Sequence, residues 1–192
     1  MKKYELTTNT KMRFRRKLFQ IKALVSFGDV TAGDLGGYIE KEENLSHNGD
    51  AWISGDAQVY GDALVYGNAQ VYGNARVCGN AQVYGNALVC DDALVCGDAL
   101  VCGDAQVYGD ALVYGNADYI CLKGFGSKNR NTTMFRTKSG DVYVCCGCFK
   151  GSLKEFSEKV KETHGTSKYA KEYLACIEVA KIHFEIGEEN DK

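Results

Sequence analysis

The stretch Ala51–Asn74 reads AWISGD-AQVYGD-ALVYGN-AQVYGN, one six-residue unit written four times. Ala keeps returning at that interval through Ala57, Ala63, Ala69, Ala75, Ala81, Ala87, Ala93, Ala99, Ala105 and Ala111 to Ala117. Two residues after each Ala except Ala117 stands Ile53 or a Val, from Val59 to Val113. After one intervening residue come a Gly, replaced once by Asp91, and an Asp or Asn. In an extended chain successive side chains alternate faces, so Ala and Val of one hexad point the same way and the intervening residues point the other. Gly, Asp and Asn tolerate left-handed backbone, so each short strand ends in a tight corner. Such a unit is too short for a helix and too regular for a hairpin array. It calls for a coil stacked on copies of itself, in which a buried Val contributes roughly 1.5–3 kcal/mol that no isolated hexad could gain.

The outward positions are poor in charge. After the Val come Tyr60, Tyr66, Tyr72, Cys78, Tyr84, Cys90, Cys96, Cys102, Tyr108 and Tyr114. Before it come Gln58, Leu64, Gln70, Arg76, Gln82, Leu88, Leu94, Leu100, Gln106 and Leu112. Residues 87–104 carry Leu88/Cys90, Leu94/Cys96 and Leu100/Cys102 on successive sides, an apolar belt round one coil. Large apolar patches mark contacts, and Tyr is favoured at interfaces. The candidate interface residues are therefore Tyr60, Tyr66, Tyr72, Tyr84, Leu88, Leu94, Leu100, Tyr108, Leu112 and Tyr114.

Residues 1–49 read as an irregular β cap with a basic arm, because a solenoid end must be covered. Counting back by hexads places Leu45 and Ile39 inward, with Lys41 and His47 at the Val positions. The glycines of residues 28–37 read as turns, since no Gly-Lys-Ser/Thr follows to make a phosphate loop. The first 22 residues hold eight Lys or Arg against Glu5, whereas the whole chain of 192 residues has a net charge of −2. Arg13, Arg15, Arg16 and Lys17 read as a solvated arm, so nucleic acid is not the expected partner. Residues 118–192 read as a small α+β domain. Its hairpin pairs Thr132–Thr137 with Val142–Cys145. A helix opens at the capping box Ser152…Glu155 and ends at Gly165, and a second spans about 168 to 185.

Hexads that place an aliphatic residue and, four positions later, a small one, as in Val59…Ala63 and Val65…Ala69, resemble the hexapeptide-repeat family. That resemblance implies a mainly β fold, a left-handed parallel β-helix with three sides and 18 residues per coil. On that coil Asp92 and Asp110 stack while the other corner Asp residues face Asn, and Cys78 lies under Cys96. The corner charges themselves do not separate an 18- from a 24-residue coil. The whole chain, through the Phe27–Gly37 cap, the hexads and the Cys146–Phe149 to Tyr173 tail, also resembles phage and prophage proteins of poorly defined function. What this implies is a phage-encoded accessory protein in the bacterial cytoplasm.

Nine cysteines without an export signal read as reduced thiols. Cys145, Cys146 and Cys148 contain a C-x-x-C, but no second such pair completes a zinc set, so no metal or other cofactor is expected. The chain has only His47, His164 and His183, none in the regular hexads, where an acyltransferase of this fold would need a general base. The expected function is non-enzymatic: a binding scaffold, a homo-oligomer such as a trimer, that holds a bacterial host protein. The alternatives are a structural part of a phage particle, a hexapeptide-repeat acyltransferase, or capture of a small signalling ligand. No apolar run suits a membrane.

Overall fold

A computed structural model describes residues 2–186, which fall into two compact units divided between Asn116 and Ala117. The cap and the hexads thus share one unit rather than forming separate domains. Each hexad contributes a two-residue strand: β4 (Trp52–Ile53), β5 (Gln58–Val59), β6 (Leu64–Val65), β7 (Gln70–Val71), β8 (Arg76–Val77), β9 (Gln82–Val83), β10 (Leu88–Val89), β11 (Leu94–Val95), β12 (Leu100–Val101), β13 (Gln106–Val107) and β14 (Leu112–Val113). The pairing is parallel: Leu88 lies between Gln70 and Gln106, and Val89 between Val71 and Val107. The coil is therefore 18 residues, and its three sides are the sheets β4-β7-β10-β13, β6-β9-β12 and β5-β8-β11-β14. The repeat Ala and Val side chains from Ala51 to Val113 are buried, whereas Ala117, past the last strand, is exposed.

The corners follow from the same register. Gly85, at φ +72, sits so close beneath Gly103 that a Cβ would lie 2.9 Å from the Gly103 nitrogen, so the corner demands glycine twice over. Asp91 alone takes this place with a side chain, at φ 58, and its carboxylate accepts from the Gly109 N–H at 3.1 Å. Next to these glycines run side-chain ladders. Asn86 Nδ2 donates to Asp104 Oδ1 at 2.9 Å, Asn80 to Asp98 at 2.9 Å, and Asn74 to Asp92 at 3.2 Å. In these three pairs an amide beside a carboxylate puts a hydrogen bond where like charges would otherwise stack, while Asp92 under Asp110 is a like-charge step.

The ladder has a polarity. Gln58 N–H donates to the Ala75 carbonyl at 2.9 Å and Tyr60 N–H to Val77 at 3.1 Å, a pattern that repeats up the stack. The first coil therefore presents carbonyls at the N-terminal end, and buried carbonyls need donors. Lys3 Nζ donates to Gly49 O at 3.1 Å and Ala51 O at 2.8 Å, while Tyr4 Oη lies 2.8 Å from both Glu42 O and Leu45 O. The third side is closed by an antiparallel hairpin, β1 (Tyr4–Arg13) and β2 (Arg16–Ala23), paired through β3 (Leu35–Ile39) to β5. Gly36 permits this closure, because a Cβ there would lie 2.5 Å from Ile21 and 2.7 Å from the Trp52 ring.

In the first coil Ile39 stacks on Val59 and Leu45 on Val65, an offset of 20 residues, whereas Ile53 stacks on Val71 at 18. Counting back by hexads therefore fails: Ile39 and Leu45 are inward, but at Val places rather than Ala places. Two extra residues separate Leu45 from Ile53. His47, in that insertion, accepts the Lys3 N–H at 3.2 Å through Nδ1 and stacks on Tyr4 at 4.4 Å. The turn at 42–44 interrupts the backbone ladder, and the fully buried Asn44 amide replaces it by donating to Gly61 O and Ala63 O at 3.1 and 2.9 Å.

The second unit is an antiparallel sheet of β15 (Tyr119–Phe125), β16 (Arg130–Arg136), β17 (Val142–Cys146) and β18 (Phe149–Ser152), followed by α1 (Leu153–His164) and α2 (Lys168–His183). The expected hairpin is β16–β17, and a strand flanks it on each side. Ser152 Oγ accepts the Glu155 N–H while the Glu155 carboxylate accepts the Ser152 N–H, so the capping box is present. Phe156 and Val160 of α1 and Tyr173, Ile177 and Ala180 of α2 are buried in one cluster with Met134, Val144 and Phe184.

Candidate functional site

Outward side chains stack in columns of 18, as the parallel register requires. Residues Leu88, Leu94 and Leu100 fall on three different sheets, so the expected belt closes round one coil. All three, with Leu112, are half-buried. Tyr72 and Tyr114 are exposed, at 40% and 53%. Two of the candidates are not available. Tyr60 is 8% exposed because it packs with Leu18 of the N-terminal hairpin and Tyr38 of β3, and Tyr108 is 7% exposed. The sequence could not show that the hairpin folds over one side of the coil.

The face least covered in this way is β6-β9-β12. Leu64 is 38% exposed there, and the Tyr66 and Tyr84 rings lie parallel with centroids 4.9 Å apart at 3°. Tyr66 Oη reaches Gln82 Oε1 at 3.2 Å, which fixes its ring direction. Leu64, Tyr66, Gln82, Tyr84, Leu100 and Cys102 make a flat surface with no charged side chain. At its N-terminal end a concavity of about 540 Å³ is lined by Glu42, Glu43, Leu45, Ser46, His47, Leu64, Val65 and Tyr66.

Each of three tyrosines lies one coil below a cysteine. The Cys90 thiol beside Tyr72, together with burial, pushes the phenol up to about 12. Cys102 raises Tyr84 in the same way, and Tyr60 is raised by burial and by Cys78, with Arg13 acting in the opposite sense. These phenols remain neutral and serve as apolar plates with one polar edge. Cys78 and Cys96 directly follow the paired residues Val77 and Val95, so they lie one coil apart as expected.

In the second unit Cys145 and Cys146 are buried while Cys148, after the turn at Gly147, is exposed. Cys146 Sγ lies 3.2 Å from Thr132 Oγ1 and 3.8 Å from Tyr173 Oη. Among the described residues no cluster of three or more His, Cys, Asp or Glu side chains could hold a metal ion. A smaller cavity of about 290 Å³ lies among Lys128, Arg130, Lys159, His164 and Tyr173. Among the described residues no helix is long and apolar enough to cross a membrane.

Stacked parallel strands with an uninterrupted inward Ala/Val core define a repeat β-helix protein, a β-solenoid. Residues 57–71, 69–81, 81–97 and 105–117 match the family described as the YdcK beta solenoid repeat. No curated protein matches the chain.

Proposed function

We propose that this β-solenoid is a non-catalytic binding scaffold of the hexapeptide-repeat kind, encoded by a phage, that self-associates in the bacterial cytoplasm and works by holding a host protein. The observation that carries this reading is the β6-β9-β12 face, where two stacked tyrosines and Leu64 stand on a charge-free sheet. Flat aromatic and aliphatic surface of that kind gains free energy when a second protein removes it from water. His47 supports the non-catalytic reading: its Nδ1 accepts a backbone N–H and its ring is stacked, so it serves the cap rather than a reacting group. Sedimentation velocity at micromolar concentration tests the proposal. The wild-type chain is expected to sediment as an oligomer, and Leu64→Glu with Tyr84→Glu as a folded monomer. A monomeric wild type would remove the self-association.

A further inference from the structure

The β1–β2 hairpin turns at Phe14 and Arg15, both in the left-handed region at φ 44 and 67. Two-residue turns of this kind strongly favour Asn and Gly, and an aromatic residue there is strained. Packing does not offset the strain, since Phe14 is 75% exposed and Met12, two residues before it, is 69% exposed. Strain held at an exposed tip points from geometry to use.

Around this ring the charge is of one sign. Arg16 is paired to Glu40 at 2.8 Å and Lys11 to Asp56, so the two nearby carboxylates are already engaged. Arg13, Arg15 and Lys17 have no carboxylate partner among the described residues. The Arg13 guanidinium lies 4.6 Å from the Phe14 ring centroid, and it also lies beside the Tyr60 hydroxyl. Its buried Nε makes no hydrogen bond among the described residues. Arg13 thus anchors one side of the ring to the solenoid and leaves the rest in solvent. In sequence Arg13, Arg15, Arg16 and Lys17 read as a solvated arm. The fold sets the exposed Phe14 ring among them.

We infer that the tip of the β1–β2 hairpin is a contact site for single-stranded nucleic acid, with Phe14 stacking on an unpaired base while Arg13, Arg15 and Lys17 meet the flanking phosphates. Every base offers a π-face, so one ring with a cationic surround binds without reading sequence. A duplex would have to be unstacked first. A lipid surface would require the Arg13 charge that rests on the ring to follow it into the apolar layer. This site uses a different element from the self-association face and does not depend on it.

Fluorescence anisotropy of a labelled oligothymidylate with the full chain at low salt tests the inference. Saturable binding is expected, weakening about fivefold or more in Phe14→Asn, because base–aromatic stacking is worth roughly 1–3 kcal/mol. Phe14→Trp should keep the affinity, and Arg15→Gln should reduce the slope of log affinity against log salt by about 0.7. Asn suits the turn better than Phe, so Phe14→Asn should melt no lower than wild type, which separates lost contact from lost fold. The inference is overturned by no saturable binding, by equal affinity of Phe14→Asn, by preference for the matching duplex, or by binding to phosphatidylserine vesicles in place of the oligonucleotide.

Discussion

Replacing Gly85 or Gly109 by Ala makes the same chemical change at two corners with nearly the same backbone, φ +72 and +66. Each new Ala must hold a left-handed conformation, at a cost of roughly 1–2 kcal/mol. Each also stiffens the unfolded chain, returning about 0.4–1 kcal/mol. These contributions cancel between the two variants. What differs is the neighbour above. At Gly85 the added methyl would lie 2.9 Å from the nitrogen and 3.0 Å from the oxygen of Gly103, whereas at Gly109 nothing lies within 4 Å. Backbone cannot rotate away as a side chain can, so the coils must part, at a cost of roughly 1–3 kcal/mol. Gly85→Ala is therefore expected to be the less stable by about that amount in urea denaturation followed by far-ultraviolet circular dichroism. Its loss should also be local. The Asn86 N–H, bonded to Gly103 O at 2.7 Å, should exchange faster in Gly85→Ala and unchanged in Gly109→Ala. Equal midpoints, or undisturbed exchange at Asn86, would refute the 18-residue stacking at this corner.

Three further outcomes follow from the cap, the corners and the thiols. Lys3→Met removes the donor to Gly49 O and Ala51 O and should cost about 1–3 kcal/mol at neutral pH by thermal or urea denaturation. Burial lowers the Lys3 pKa from 10.5 to about 8, with Asp50 pulling it back up, so above pH 8 the folded chain releases a proton that the unfolded chain keeps. Stability of wild type relative to Lys3→Met should accordingly rise between pH 8 and 10.5, and a falling difference would contradict the buried ammonium. Asn80→Asp replaces the amide between Asp62 and Asp98 by a third carboxylate, and should lose about 1 kcal/mol at low salt, recovered on raising ionic strength. Timed maleimide labelling with peptide mapping should find exposed Cys148 modified early and Cys176, whose thiol burial pushes up to about 11, among the last; the reverse order would count against the second unit's packing.

The hexads carried their own architecture, because a period of six with one alternating face admits few solutions. Ala and Val went inward, Tyr and Leu outward, and the corners fell at Gly and Asp or Asn. Helices α1 and α2 were legible from their caps and apolar faces for the same reason: local signals there agree with the packing. Sequence periodicity could not locate the two-residue insertion before Ile53, since Leu45 and Ile39 satisfy the inward pattern in either register. The cap itself is a non-local device, in which Lys3 reaches Gly49 and Ala51 across more than forty residues. Nor could the sequence say that the hairpin would cover Tyr60 yet hold Phe14 in solvent. Repetition determined the coil, since each hexad meets only copies of itself. The tertiary structure decided which outward residues stay uncovered, because that depends on where one unrepeated strand pair comes to rest.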